Sequence, residues 1–238
     1  MAKSALLKSS LAKKYLMAFT GLFLCLFLIG HLFGNLQLLL PVSDATKDQF
    51  NEYALFMTTN PAVKVLSYLT YFSILFHAID GIILTIRNRK ARPQGYVSFK
   101  PSTNTMWSSR NMGVLGTVIL AFIAVHLYMF WGQMKFGQLK DSLYTTANDQ
   151  EVVDLYTLTI KTFQEPQMGL FWAILYGVAM LAIAFHLSHG FSSGFQSLGI
   201  NHPKYNGFIR KFGYAFAVLV PLAFAVIPFY IYFVLEKI

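Results

Sequence analysis

The sequence predicts an all-α integral membrane protein, a bundle of five transmembrane helices. Three observations predict it. The 238-residue chain is 55% hydrophobic and only 12% charged, about half the charged fraction of a soluble domain. Its apolar residues gather in five runs, about 15–40, 62–86, 111–133, 168–195 and 208–235. Each reaches the roughly 20 residues that cross the hydrocarbon core as a helix. The runs are continuously apolar, whereas a barrel would show short alternating strands, and in lipid only these two architectures satisfy every backbone polar group. A single membrane domain, 1–238, is expected.

Span I follows a basic arm, Lys3, Lys8, Lys13 and Lys14. Its apolar run is too long for a signal h-region and no small-residue cleavage pattern follows, so no cleaved leader is expected. Span I ends before Pro41-Val42-Ser43-Asp44, and the polar loop 41–61 is expected to hold a short helix from Gln49 to Met57. Asn60-Pro61 stops that segment, because the residue before proline disfavours helix. Span II ends at Arg87-Asn88-Arg89-Lys90-Ala91-Arg92, and the loop 93–109 reads as irregular. Arg110 opens span III. In the long loop 134–166, Val152, Val153, Leu155 and Tyr156 suggest a surface helix. Span IV closes at a turn, Gly199-Ile200-Asn201-His202-Pro203, with His202 on the surface. Span V contains Pro221 and Pro228, which predict a kink.

The net charge of +9 would suit nucleic acid, but its distribution argues for a membrane instead. Five spans put the two ends of the chain on opposite sides. The side holding the N-terminus, 87–110 and 196–211 carries 13 Lys/Arg and no acid, and the other side has 6 Lys/Arg and 9 Asp/Glu. The first side is expected to be cytoplasmic. The one cysteine, Cys25, excludes an internal disulfide, covalent haem attachment through C-x-x-C-H, and a protein iron–sulfur cluster.

Four spans each contain a histidine. Gly21 leads to His31, and Gly116 to His126, by the same ten-residue step; His77 and His186 each have glycine four residues on, Gly81 and Gly190. Ionisable groups inside a membrane are costly and usually mark function. A single histidine could simply hydrogen-bond a neighbouring helix. Four in successive spans point instead to axial ligands of two b-type haems, and filling both axial positions leaves electron transfer as the task. Depth pairs them. His31 lies roughly 25 Å beyond Lys14 and His126 roughly 24 Å beyond Arg110, both towards the outer face, whereas His77 lies roughly 15 Å from the inner boundary. His31 should therefore pair with His126 and His77 with His186. His189, three residues after His186, ranks second to it because its glycine stands at +1; a place near a haem propionate would suit it. Gly21, Gly81, Gly116, Gly190 and Arg110 are further cofactor-contact candidates. The glycines would admit a flat ring, or serve close helix packing.

Asp80 lies on a similar face of span II to His77. Three roles are open to it: bonding a polar neighbour, lowering the potential of the inner haem, or passing protons to a quinone.

Thr20-Gly21-Leu22-Phe23 with Ile29-Gly30-His31, the triplet His126-Leu127-Tyr128, and His186-x-x-x-Gly190 followed by Gly199 resemble the cytochrome b membrane anchor of succinate:quinone and fumarate:quinone oxidoreductases. The likeness is to the single-subunit, five-helix, dihaem type and covers nearly the whole chain. It implies that His31, His77, His126 and His186 are the axial ligands. It implies a flavoprotein and an iron–sulfur protein on the cytoplasmic face, a quinone substrate of menaquinone type, and the bacterial cytoplasmic membrane. In some members a glutamate in the first outer loop handles quinol protons, and Glu52 lies in the corresponding region. The chain itself has no Gly-rich dinucleotide loop for succinate chemistry. An alternative is the dihaem anchor of another respiratory dehydrogenase, of formate or hydrogenase type; a histidine-relay transporter is a third.

Overall fold

The computed structural model describes residues 9–91, 106–137, 139 and 143–238. Five helices among them are long and apolar enough to cross a membrane: Ser10–Leu39, Pro61–Lys90, Met112–Lys135, Gly169–Ser197 and Pro203–Phe233. The protein is thus an all-α, five-helix membrane protein. Most of the loop 93–109, with Lys3, Lys8 and Arg92, lies outside the described residues.

Helix α1, Ser10–Asn35, starts where the Ser9 hydroxyl accepts from the amides of Leu11 and Ala12. A 3₁₀ turn, Leu36–Leu39, tightens its end, which gives the last carbonyls shorter-range partners. Helix α2 runs over Asp44–Thr59, longer than the expected 49–57. Ser43 caps it through the Thr46 amide at 3.1 Å, and Asp44 places a carboxylate at the positive end of the helix. Asn60 is the expected stop: its backbone is extended, and its Oδ1 accepts from Ala62 and Val63. Helix α3, Pro61–Lys90, then begins on a proline, which forgoes a donor that would be orphaned anyway.

A short α4, Trp107–Arg110, precedes α5, Met112–His126. The same span continues as a π-helix, Leu127–Gly132, and a last turn, α6, Gln133–Lys135. Strands β1, Leu143–Thr145, and β2, Glu151–Val153, form an antiparallel hairpin. Asp149 turns it at φ 61°. Here the structure corrects the sequence reading. Val152 and Val153 belong to β2, paired with Tyr144 and Leu143, as their β-branched side chains favour. The helix starts later, as α7, Leu155–Gln164, because Asp154 caps it through the Thr157 amide.

Helix α8, Gly169–Ser197, is terminated at Gly199. Its φ of +80° is the left-handed conformation that lets the Ile200 amide turn back to the Phe195 carbonyl. Helix α9, Pro203–Phe233, contains both Pro221 and Pro228. His202 is exposed and sits at its start, where its Nδ1 accepts from Lys204.

The chain divides into two compact units. The first comprises 1–27, 69–119 and 182–219. Its interior holds Ala18, Leu187, Phe191, Phe216 and Ala217. The second comprises 28–68, 120–181 and 220–238. Leu38, Tyr156, Ile160, Phe163, Tyr176, Ile227, Ile231 and Leu235 form its core. Gln164 closes the end of α9, donating to the Glu236 carbonyl and accepting from the Ile238 amide. Large apolar side chains stand exposed along α3, among them Val65, Phe72, Leu75, Ile79 and Ile82. Lipid is the solvent that suits such a surface.

Candidate functional site

The four span histidines meet as two pairs, one inside each unit. In the second unit, His31 of α1 faces His126, the last residue of α5. Their ring centres are 5.8 Å apart and their planes 80° apart. Phe224 lies 5.5 Å from the His31 ring and Phe130 5.4 Å from the His126 ring. Tyr176 Oη sits 3.0 Å from His126 Nδ1. Asn35 Nδ2 lies 3.4 Å from His31 Nδ1 and donates to the His31 carbonyl at 2.8 Å. The π-helix begins one residue after His126, and such widened turns are frequent at functional sites.

In the first unit, His77 of α3 faces His186 of α8, with ring centres 6.0 Å apart and planes at 66°. Thr20 Oγ1 is 3.2 Å from His77 Nδ1 and donates to the Leu16 carbonyl at 2.7 Å. A hydroxyl so committed can accept from a protonated Nδ1, which leaves Nε2 as the nitrogen with a lone pair for a metal. His186 Nδ1 is buried without a partner. His189 is half-buried one turn further along α8; the ring that meets His77 is that of His186.

Gly21 belongs to the His77 pair. A Cβ built on it would stand 3.0 Å from His77 Cε1. Gly116 and Gly190 adjoin His186, each placing a Cβ 4.0 Å from its ring, whereas Gly81 faces Met17 Cε at 3.6 Å. Arg110 is exposed at the end of α4.

Asp80 is buried one turn after His77, and Lys13 Nζ donates to its Oδ1 at 2.8 Å. Its other oxygen, Oδ2, has no partner. The carboxylate thus has the polar neighbour that the first of its three possible roles required.

Glu52 accepts from Asn148 of the hairpin turn at 2.8 Å, so it ties α2 to the β-hairpin. It is one of several such ties. Asp48 accepts from the Ala147 amide at 2.9 Å and from the Tyr144 hydroxyl at 2.7 Å. These bonds hold its carboxyl below the usual range. The same bond to Asp48 pushes the Tyr144 phenol up to about 12. Buried Asn51 donates to Asp154 and accepts from the Tyr156 amide, and Lys47 pairs with Asp154 at 2.8 Å. Burial alone would raise Asp154, but the Lys47, Thr157 and Asn51 bonds bring it below its ordinary value.

Sequence reasoning missed Lys13, Thr20 and Tyr176. Thr20 carried a signal, since it precedes Gly21 in the first motif. Lys13 and Tyr176 carried none, because their roles depend on how helices are rotated about their axes. Chemically, each pair brings together two imidazoles, groups able to ligate a metal, with ring centres at 5.8 and 6.0 Å. The chain matches no protein-family model, and no curated protein and no solved structure matches it.

Proposed function

We propose that the protein is a dihaem b-type cytochrome subunit. In this reading it anchors a succinate dehydrogenase or fumarate reductase in a bacterial cytoplasmic membrane. It passes electrons between a flavoprotein with an iron–sulfur partner and a membrane quinone, menaquinone by resemblance. One observation carries the reading: two histidine pairs, each joining two spans, with ring centres at 5.8 and 6.0 Å.

The residues fit haem iron. A ligating imidazole nitrogen lies about 2 Å from its metal and the ring centre about 1 Å beyond, so two rings across one ion have centres roughly 6 Å apart. Bare ring contacts span about 4.5–7 Å, so the distance by itself does not single out a metal. Its repetition in two units, between the four spans that each carry a histidine, is what supports the metal reading.

Haem held by His31 with His126 and by His77 with His186 would supply one-electron chemistry. The chain's residues do the rest. Thr20 and Tyr176 orient the rings of His77 and His126 through Nδ1, the outer-shell role that fixes tautomer and basicity. Phe122, Phe130 and Phe224 surround His31 and His126 and exclude water. Gly21 leaves the His77 ring room that a methyl group would take. The 13 basic residues of the side expected to be cytoplasmic, Lys13 among them being tied to Asp80, would suit an acidic partner surface.

Purification of the tagged chain from its own membranes tests the reading. A flavoprotein and an iron–sulfur protein should come with it, and the preparation should reduce quinone with succinate or oxidise quinol with fumarate. Recovery of the chain alone, without haem absorbance, overturns it.

A further inference from the structure

We propose that the second unit binds a phospholipid whose headgroup carries both a phosphate and an ammonium group. The proposal is independent of the haem reading. An open groove of about 450 Å³ runs between Tyr128 and Met129 of the π-helix, Lys161 and Glu165 at the end of α7, and Met168 and Trp172 at the start of α8. Its volume falls within the roughly 300–1,000 Å³ of small-molecule sites.

The charges at its mouth are of both signs and are kept apart. Lys161 forms no ion pair among the described residues, although Glu165 stands one turn away. Through Oε2 alone, Glu165 accepts from the amides of Gln167 and Met168. Lysine before glutamate is also the weaker order for a pair on one helix. The groove therefore offers a cation and an anion one helical turn apart, complementary to a phosphate and an ammonium.

The apolar wall fits the same occupant. Tyr128 is 71% exposed, and with Trp172 it stands near the ends of the two spans that flank the groove, the depth at which amphipathic aromatics mark the membrane boundary. Past Met168, the side chains of Leu170, Phe171 and Ile174 stand exposed on α8. Acyl chains would meet apolar surface of this kind outside the groove, so only the headgroup and glycerol need fit inside. An occupant here braces the π-helix that directly follows His126.

The test is native mass spectrometry of the detergent-purified, delipidated protein titrated with phosphatidylethanolamine, with phosphatidylglycerol in parallel. One phosphatidylethanolamine should bind, in preference to phosphatidylglycerol. Lys161→Gln should weaken it about tenfold, the effect of losing one charge-assisted hydrogen bond. Thr162→Phe, which fills the groove without changing charge, should abolish it, and Lys64→Gln should leave it intact. Equal binding of the two lipids, unchanged binding in Lys161→Gln and Thr162→Phe, or displacement of the lipid by a quinone would each overturn the proposal.

Discussion

Removing one partner of the Lys13–Asp80 pair should destabilise the protein far more than removing both. The atoms are 2.8 Å apart, and the side chains are 17% and 4% exposed. At that separation, with an effective dielectric near 20, the attraction is roughly 6 kcal/mol. Desolvating each ion costs several kcal/mol, so the intact pair contributes little net stability. Breaking it is different, because an uncompensated charge stays buried at a cost of about 3–5 kcal/mol. Asp80→Asn keeps an oxygen for Lys13 and should fall near the lower end, about 3 kcal/mol. Lys13→Met leaves a buried carboxylate whose Oδ2 already lacks a partner. The double variant should recover most of the loss. Unfolding of the four proteins in detergent measures the coupling. A redox titration adds a second readout. If haem sits at the His77 pair, the unpaired Lys13 cation in Asp80→Asn should raise that site's midpoint potential and leave the other nearly unmoved. Single variants as stable as the parent, or losses that simply add, would refute the reasoning.

Replacing His31 or His126 should remove one haem, and His77 or His186 the other, while His189→Ala keeps both; haem content by optical spectroscopy decides. Gly21→Ala should displace the His77 ring, which a new Cβ would approach to 3.0 Å, whereas Gly30→Ala meets nothing within 4 Å. Resonance Raman spectra of the two should differ accordingly. The hairpin 143–153 should hold to α2 over a bounded pH window. Asp48, depressed in the folded state, contributes stability above its unfolded value that is lost as pH falls through the folded one. Tyr144, raised to about 12, contributes stability below its unfolded value of 10 that is lost as pH rises towards 12. Hydrogen exchange in the hairpin should show both limits; Tyr144→Phe should remove the alkaline one and keep the acid one, which the Ala147 amide also sustains, whereas Asp48→Asn should remove both, because the Tyr144 shift rests on its bond to Asp48. Neutralising Arg87, Arg89, Lys90 and Arg92 together should loosen partner subunits in a salt-dependent way without preventing insertion, as read by co-purification.

The spans were legible because continuous apolarity over at least about 20 residues has one structural outcome in lipid. The meeting of His31 with His126, and of His77 with His186, was legible because helical rise converts residue number into depth. What depended on rotation about the helix axis was not. Gly21 stands ten residues before His31, yet it touches His77 instead. Asp80 showed its cost in sequence, but nothing in the sequence pointed to Lys13 as its partner. The hairpin escaped because three-residue strands are too short to display alternation, and Val152 and Val153 joined Leu155 and Tyr156 in an apparent helical pattern. The π-helix after His126 is built from Leu127, Tyr128, Met129, Phe130, Trp131 and Gly132, residues that read as ordinary span.

The most direct measurement is the haem-to-protein ratio of the purified chain, taken with its reduced-minus-oxidised optical spectrum. The account predicts two non-covalent b-type haems per chain, each lost separately when its own histidine pair is broken. A correctly inserted chain that binds no haem, or keeps both haems when His77 and His126 are replaced together, would contradict it.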